Sequence, residues 1–408
     1  MKKNLNPCKI ILFLFGIVMT ATCCLNATQN KTAYAYDTLF PTYYQNNSEV
    51  PDRVVWIDNR LKEKHLKDSL VLVNPIDSPG IWIRKVHTEE HIKGIQSIPI
   101  HTSQGATHSI GEIADLAVAY ILGAVDLVMN GKADNAFANI RPPGHHVVNS
   151  GYTSGFCAYA NVVIAAIYAR EIYNINKILI VDWDYHYGNS TETFFCADTG
   201  IFLAEFGSYT HVPQGCNTGK RHIITYNVND GTNKDFISVF KDSIKHEMLG
   251  FKPDLILISC GFDLKERDAL GSYHVTASGI SALTEILMEI AVKHCKGRII
   301  SILEGGYNDA GSSPRTWYGL SQCAENHIRT LMTGDPAPET EFFRTNPILY
   351  RNIKKSVGTY RDIYCLFNLA GQKLDPLNKI GQRKNQSAGI YVGINSRGRQ
   401  VLIPILKK

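Results

Sequence analysis

Short apolar runs alternate with longer amphipathic segments along most of the chain. Each run is followed by a polar residue, and such runs are typical of strands buried on both faces of a parallel sheet. They lie at 136–140, 177–181, 255–258 and 299–303. Between them, apolar residues recur at helical spacing over 113–129, 156–169, 236–249 and 277–292. This alternation predicts a single α/β domain, in which helices cover both faces of a mostly parallel central sheet.

The N-terminal part of the chain departs from this alternation. Residues 28–51 are polar and rich in tyrosine without any periodicity, and we interpret them as a linker. Three short runs after them, at 54–57, 70–73 and 81–86, have the composition of strands.

The C-terminal part follows a loop marked by Gly334-Asp-Pro-Ala-Pro338. We predict a helix around 353–369 and, after it, a β-hairpin built from 389–394 and 400–406. The chain then has four parts, namely a signal segment, a linker, a large α/β domain and a C-terminal extension. Their bounds are 1–27, 28–51, 52–370 and 371–408.

Residues 1–27 have the pattern of a secretory signal peptide. Lys2 and Lys3 precede an apolar core that is too short to span a bilayer comfortably, and small residues follow it. One expectation is cleavage at the end of this segment. The alternative is a lipid anchor, because Thr20-Ala-Thr-Cys23 and the adjoining Cys24 loosely resemble a bacterial lipoprotein box. We therefore expect an exported protein that is periplasmic, secreted or membrane-anchored, without a transmembrane span after maturation.

The charge and the cysteine spacing indicate which kinds of partner and bound metal to expect. Of the 408 residues, 19% are charged and the formal net charge is +5. The basic residues do not form the clustered stripe that nucleic-acid binding requires, so we expect no nucleic-acid partner. The seven cysteines outside the signal segment are scattered and lack CxxC spacing. Neither a cysteine zinc site nor a disulfide framework is therefore indicated.

The stretch from Ile178 to Asn189 changes abruptly from apolar to polar. Asp182, Asp184 and His186 alternate along it, and alternate side chains of an extended chain share one face. Carboxylates and an imidazole grouped at the carboxyl end of a strand suit a divalent metal of the zinc class. The alternative is an aspartate-rich strand end that caps the following helix.

Three other stretches place polar groups after predicted strands or rigid turns. They are Arg141-Pro-Pro-Gly-His-His146, Ser259-Cys-Gly-Phe-Asp263 and Leu303-Glu-Gly-Gly-Tyr-Asn308. Open α/β sheets carry their ligand sites at the carboxyl ends of their strands. Together with the central stretch, these motifs resemble those of the histone deacetylase family, which includes the acetylpolyamine amidohydrolases and the acetoin-utilisation proteins. The resemblance extends from about residue 86 to about residue 332.

The resemblance implies a metal site. Asp184, His186 and Asp263 match the three metal ligands of the family, so Zn²⁺ is expected, with Fe²⁺ as the alternative. The segment around Asp182 also resembles the structural potassium site of the family, which implies a bound K⁺.

The resemblance also implies the groups that handle protons. His145 and His146 match the histidine pair of the family, with Asp182 expected to hold His145 and Asn189 expected to hold His146. We favour His146 as the principal acid and base, because a neutral partner leaves its pKa lower than a carboxylate would. Tyr307 matches the family's donor to the oxyanion.

A further set of residues is implied for the substrate tunnel. These are Gly155, Phe156, Val212, Gly305 and Gly306. Val212 stands near the place where the family usually has an aromatic residue, so one tunnel wall is expected to be aliphatic. Two positions depart from the family pattern, since Tyr187 replaces a common second histidine and Ser190 replaces a glycine.

The function that this resemblance implies is a metal-dependent deacetylase that hydrolyses an acetamide. The expected substrate is acetyl-lysine in a protein or an acetylated small amine such as a polyamine. One alternative is a non-catalytic module that binds acyl groups on the same scaffold. Another is an arginase-like ureohydrolase with two manganese ions, although Tyr187-Gly-Asn-Ser190 supplies none of the additional carboxylates which that chemistry needs.

Overall fold

The computed structural model describes residues 29–43, 48–101, 107–208, 222–228, 230–312, 316 and 318–334, together with four strands beyond them. The chain divides into two compact units, Met1–Pro336 and Ala337–Lys408.

An eight-stranded sheet forms the centre of the first unit. Its strands are β1 (Thr32–Ala35), β2 (Val71–Leu72), β5 (Asn135–Ala138), β6 (Ile178–Asp182), β7 (Ile201–Glu205), β8 (Ile223–Thr225), β9 (Leu255–Cys260) and β10 (Ile299–Leu303). Their order is β2-β1-β5-β10-β9-β6-β7-β8, and every neighbouring pair is parallel. A separate antiparallel pair is formed by β3 (Pro99–His101) and β4 (Thr107–Ser109). The predicted α/β class with a mostly parallel sheet is confirmed.

Helices connect the parallel strands and pack against the sheet. They are α1 (Asp52–Glu63), α2 (Gly80–Val86), α3 (Glu89–Gln96), α4 (Ile110–Met129), α5 (Asn161–Tyr173), α6 (Asn189–Phe195), α7 (Asn233–Val239), α8 (Lys245–Phe251), α9 (Ala277–His294) and α10 (Tyr318–Thr333). A π-helical turn, Phe240–Ile244, joins α7 to α8, and short 3-10 turns lie at Phe40–Thr42 and Lys67–Ser69.

The helices predicted from the apolar spacing are present, with shifted ends. α4 begins with a capping box, in which Ser109 and Glu112 each bond to the backbone of the other. The helix predicted at 156–169 begins only at Asn161. The residues before it form a loop, in which Gly155 and Phe156 have φ angles of 51° and 70° that a helix excludes.

Three expectations for the N-terminal part are wrong. The segment 28–51, expected to be a linker, contains β1, which is buried and pairs in parallel with β5 and β2. The runs at 54–57 and 81–86, expected to be strands, lie in α1 and α2. The reason is the same for both runs, because a short apolar run fits a helix turn as well as a strand. Only the run at 70–73 forms a strand, β2.

The second unit, Ala337–Lys408, is a small antiparallel sheet. Its strands are β11 (Ile363–Phe367), β12 (Lys373–Leu374), β13 (Gly389–Asn395) and β14 (Gln400–Ile405), in the order β12-β11-β13-β14. The predicted hairpin is confirmed as β13 and β14, which pair antiparallel. The helix predicted around 353–369 is wrong at 363–367, where β11 pairs with β13 instead, and its remaining residues lie outside the described part.

The boundary between the units also differs from the prediction. The first unit ends at Pro336, whereas we expected the large domain to continue to residue 370. The difference follows from strand pairing, because β11 hydrogen-bonds within the C-terminal sheet. The excess positive charge of the chain lies in this second unit, where Lys and Arg far outnumber Asp and Glu. The charge is therefore less evenly spread than the composition of the whole chain indicates.

Several expectations concern residues outside the described part. The signal segment 1–27 and the tunnel residue Val212 belong to this group. Among the helices of the described residues, none has both the length and the apolar character needed to cross a membrane. The sequence indicates no disulfide framework, but Cys196 is disulfide-bonded. The cysteines Cys157, Cys260, Cys295 and Cys323 are buried and free.

Candidate active site

Three neighbouring strands end together at one edge of the central sheet. β10, β9 and β6 are adjacent and are buried along their whole length. In their register, Asp182 pairs with Ser259 and Leu303 pairs with Cys260. The segments that follow these strands therefore meet just outside the carboxyl ends, where open α/β sheets bind their ligands.

Asp184, His186 and Asp263 converge at this edge. Their potential ligand atoms all lie within 4.8 Å of one another. His186 Nδ1 lies 2.9 Å from Asp263 Oδ2 and 3.2 Å from Asp184 Oδ1. Both carboxylates are fully buried, whereas the imidazole side chain is 35% exposed. The cluster is therefore held from within the protein and is reached from the side of the imidazole.

Backbone N–H groups fix the remaining oxygen atoms of the two carboxylates. Gly305 N donates to Asp184 Oδ2 at 2.8 Å, and Tyr185 N donates to Asp263 Oδ1 at 2.8 Å. A Cβ atom at Gly305 would lie 2.3 Å from Asp263 Oδ2, so only glycine permits this approach. Two carboxylates and one imidazole, each oriented by neighbouring groups, fit the donor set of a divalent ion of the zinc class.

The electrostatics of the cluster also favour a cation. Burial and the neighbouring Asp184 carboxylate raise the pKa of Asp263 to about 7. Burial alone would lower the pKa of His186, but its contacts with Asp184 and Asp263 raise that pKa to about 11. The two buried carboxylates thus attract a positive charge, and a divalent ion would satisfy both of them.

The histidine pair lies beside this cluster, and each histidine contacts the partner that the resemblance implied. His145 Nδ1 lies 3.0 Å from Asp182 Oδ2, and His146 Nδ1 lies 2.9 Å from Asn189 Oδ1. Because both partner atoms are acceptors, each Nδ1 carries the hydrogen. The Nε2 atom of a neutral His146 is then free to accept a proton.

The two histidines have opposite pKa shifts. Burial and the adjacent His145 lower the pKa of His146 to about 3. Burial would also lower the pKa of His145, but the carboxylates of Asp184 and Asp182 raise it well above the usual value. At neutral pH, His146 is therefore unprotonated and is the member of the pair that can act as a base.

Tyr307 also lies beside the cluster. Its ring centre is 6.4 Å from the ring of His186 and 6.1 Å from the ring of Phe156. The side chain is 4% exposed, and burial raises the pKa of its hydroxyl group well above 10. The hydroxyl therefore keeps its proton at physiological pH and remains a hydrogen-bond donor. The Tyr307 N–H donates to Asp268 Oδ2 at 2.8 Å, which fixes the backbone of this loop.

Four of the five tunnel residues are described. Gly155 and Phe156 lie in the loop after the histidine pair, and a Cβ atom at Gly155 would lie 2.4 Å from His146 Cδ2. Gly305 and Gly306 precede Tyr307, and Gly306 has a φ of 112°. The structure thus places these four residues around the cluster, while the tunnel role of Val212 stays a prediction.

Arg53 is a site residue that the sequence did not reveal. Its guanidinium group is fully buried, donates to Gly306 O at 2.6 Å and also donates to Glu304 O. It pairs with Glu49 at 2.9 Å and lies 5.1 Å above the ring of Tyr307. The available signal was the i, i+4 spacing of Glu49 and Arg53, which many exposed helices share.

Glu304 is a second such residue. It belongs to the motif that contains Tyr307, but the motif gave no role to its carboxylate. The side chain is fully buried, and Oε2 accepts hydrogen bonds from the N–H groups of Gly144 and His145 at 2.6 and 3.2 Å. This contact joins residues that are far apart in the sequence, so no local pattern predicts it.

Comparison with known proteins agrees with this geometry. The sequence model of the histone deacetylase domain matches residues 47–323. The polyamine deacetylase HDAC10 of Danio rerio is 30% identical over 320 residues, which cover 71% of this chain and 45% of that protein. A probable deacetylase of Archaeoglobus fulgidus is 31% identical over 284 residues, which cover 66% of this chain and 79% of that protein.

A solved structure supports the same assignment. The crystal structure of the HDA15 HD domain matches with a TM-score of 0.62 at 25% identity, covering 73% of this chain and 90% of that chain. The chain spans less than half the length of the Danio rerio protein. The region matched by the domain, 47–323, contains the cluster of Asp184, His186 and Asp263, the histidine pair and Tyr307. This chain belongs to the histone deacetylase family.

Proposed function

We propose that this protein is a metal-dependent deacetylase that hydrolyses an acetamide. One observation carries the proposal. His146 and Tyr307 both lie beside the cluster of Asp184, His186 and Asp263, with ring centres 6.1 and 6.4 Å from that of His186. A metal site with a base and a hydrogen-bond donor beside it is an arrangement that supports metal-assisted amide hydrolysis.

The cluster would hold Zn²⁺, and Fe²⁺ is the alternative because oxygen ligands accept both ions. When bound, the ion supplies Lewis-acid chemistry, polarising the acetamide carbonyl and lowering the pKa of a water molecule. Asp184 and Asp263 contribute negative charge, and the N–H groups of Gly305 and Tyr185 keep them oriented.

The protein side chains then handle protons and charge. His146 Nε2 takes a proton from the attacking water and returns one to the departing amine. Asn189 holds the ring of His146 in the required tautomer, and Asp182 does the same for His145. The Tyr307 hydroxyl donates to the oxygen that becomes negatively charged, and it can do so because burial keeps it protonated.

The proposed substrate is acetyl-lysine in a protein or an acetylated small amine such as a polyamine. The relatives span both classes, since they include histone deacetylases and polyamine deacetylases. Phe156 is half-buried, with its ring centre 6.1 Å from that of Tyr307, and with the exposed Gly155 it offers an apolar surface that suits an acyl group carried on a flexible apolar chain.

Two other functions have less support. A binding module without catalysis would need neither the proton-accepting tautomer of His146 nor the buried hydroxyl of Tyr307. An arginase-like ureohydrolase would need further carboxylates beside the cluster. The described side chains supply one group of aspartate and histidine ligands there, Asp184, His186 and Asp263, together with a separate group of His145, Cys157 and Glu304.

A structural K⁺ beside Asp182 is part of the proposal. Glu205 pairs with Asp182 in the register of β6 and β7, is fully buried and has Oε1 without a hydrogen-bond partner. Burial and the neighbouring Asp182 raise the pKa of Glu205 well above its usual value. A monovalent cation at this position would compensate the buried carboxylates, and replacing potassium by choline in the buffer should lower the melting temperature.

Export of the protein is also proposed. Its support is the pattern of residues 1–27 and the disulfide at Cys196, because disulfides persist mainly in oxidising compartments. The mature protein is then periplasmic, secreted or held by a lipid on Cys23 or Cys24. Mass spectrometry of the mature N-terminus distinguishes these outcomes, and an intact Met1 in fractionated cells would contradict export.

Acetate release by the purified mature protein tests the main proposal. The substrates are acetyl-lysine peptides and acetylated polyamines, assayed with Zn²⁺ or Fe²⁺ and, as a control, with chelator. We expect turnover that chelator abolishes and that added metal restores, because the cluster needs its ion for Lewis-acid chemistry. Metal-loaded protein that leaves every acetamide intact would contradict a deacetylase and favour the binding module.

A further inference from the structure

We propose that Glu304 is a positioning residue that holds the histidine pair and Tyr307 in register across the site. The inference deepens the proposed function and rests on it for the reaction concerned. Glu304 follows β10, whereas the histidine pair follows β5, so this single side chain joins loops that leave two adjacent strands.

The carboxylate of Glu304 accepts hydrogen bonds from the loop that contains the histidine pair. Its Oε2 accepts from Gly144 N at 2.6 Å and from His145 N at 3.2 Å, while Oε1 accepts from Ser259 Oγ at 3.3 Å. Two consecutive backbone N–H groups at the start of the pair thus bond to one oxygen atom. Because these groups are buried, removal of that oxygen leaves both donors without their partner.

The backbone of Glu304 is fixed from the opposite side. Arg53 donates to Glu304 O and to Gly306 O, and Glu304 N donates to Cys260 O at 3.3 Å. Tyr307 follows in the same loop, with its own N–H bound to Asp268. Displacement of the Glu304 side chain would therefore change the distance between the histidine pair and Tyr307.

A second role for Glu304, as a metal ligand, has less support. Glu304, His145 and Cys157 lie close enough to hold one ion. However, the oxygen atoms of Glu304 are already used by N–H and O–H donors, and the thiol of Cys157 accepts from His146 N at 3.4 Å. These contacts favour a structural clamp, in which the Glu304 carboxylate holds the backbone of Gly144 and His145, over a metal-coordination site.

Three substitutions separate a clamp from a charge effect. In Glu304→Gln, the amide oxygen can still accept both N–H bonds and the amide nitrogen can donate to Ser259. Glu304→Asp keeps the charge but is one methylene shorter, and Glu304→Ala removes the group. If Glu304 acts as a clamp, kcat of the Glu304→Gln variant stays within about threefold of the wild-type value. The kcat of the Glu304→Asp and Glu304→Ala variants falls by about 10- to 100-fold, at similar KM.

Hydrogen exchange provides a readout that does not depend on turnover. In Glu304→Ala and Glu304→Asp, amides of the segment from Gly144 to Val147 should exchange at least about tenfold faster, and Glu304→Gln should restore the protection. Thr284→Val, which removes a buried hydroxyl between α9 and α10, is the control for general destabilisation. It should leave exchange in that segment unchanged.

The outcomes distinguish this inference from the proposed function. If the wild type hydrolyses no acetamide, the proposed function fails, and the exchange data still decide the role of Glu304. Unchanged exchange in Glu304→Ala would overturn the clamp. The clamp would also be overturned if Glu304→Asp kept more activity than Glu304→Gln. The negative charge at position 304 would then matter more than the length of the side chain.

Discussion

At the scale of single residues, Tyr307 has the burial and the protonated hydroxyl that its proposed role as a hydrogen-bond donor needs. It is nearly fully buried, and its pKa is raised so far that the hydroxyl stays protonated. Arg53 lies 5.1 Å above its ring, and Asp268 holds its backbone N–H. The side chain is therefore preorganised, which is what makes such donors effective in catalysis.

Tyr307→Phe removes the hydroxyl and keeps the ring. We expect kcat to fall by about 10²- to 10³-fold with little change in KM, because one donor to a developing oxyanion is typically worth about 3–4 kcal/mol. Steady-state kinetics of acetate release measures this change. Tyr273→Phe is the matched control, since its hydroxyl donates to Phe206 O at 3.0 Å and is not one of the groups proposed to react. Equal losses in both variants would contradict the oxyanion role.

At the scale of elements, the buried His327 of α10 connects that helix to α9 and to β10. His327 Nδ1 lies 2.8 Å from Thr284 Oγ1 on α9, and Nε2 lies 2.8 Å from Ser301 Oγ on β10. The ring is fully buried, and burial lowers its pKa to about 3. His327 is therefore neutral in the folded protein over the whole physiological range.

This shift makes the stability of the first unit depend on pH. Below about pH 6.5 the unfolded chain binds a proton at His327 that the folded chain does not, so stability falls as the pH falls towards 3. We expect His327 alone to cost about 2 kcal/mol between pH 7 and pH 5. Urea denaturation at both pH values, for the wild type and for His327→Gln, measures the difference. The same pH dependence in both proteins would contradict this assignment.

At the scale of the whole molecule, the site residues that the structure describes all lie in the first unit. All of these residues lie before Pro336, where that unit ends. They are the cluster of Asp184, His186 and Asp263, the histidine pair, Tyr307, Arg53 and Glu304. The second unit forms its own antiparallel sheet. The core and the chemistry of the first unit thus come from one continuous part of the chain.

A chain that ends at Pro336 should therefore fold and keep its metal site. We expect one cooperative thermal transition and the same metal content per chain as in the full-length protein, because no ligand is removed. Calorimetry and elemental analysis measure both properties. Loss of the transition or of the metal would show that residues 337–408 are needed for the first unit to fold.

The sequence alone determined the class of the fold and indicated which residues we propose as the reacting groups. Strands such as β6 and β9 are continuous apolar runs followed by polar residues, and this pattern is local and readable. The proposed ligands Asp184, His186 and Asp263 lie in short motifs, and for that reason a family resemblance could indicate them without the geometry.

Only the tertiary structure decided how the site is supported. β1 was misread as part of a linker, since its place beside β5 depends on a partner about a hundred residues away. Two hydrogen bonds that support the site are also long-range. One joins Gly144 N to Glu304, and the other joins Arg53 to Gly306 O. Periodicity and motifs report on neighbours in the sequence, whereas these contacts arise only when distant segments pack together, and for that reason they had to be seen in three dimensions.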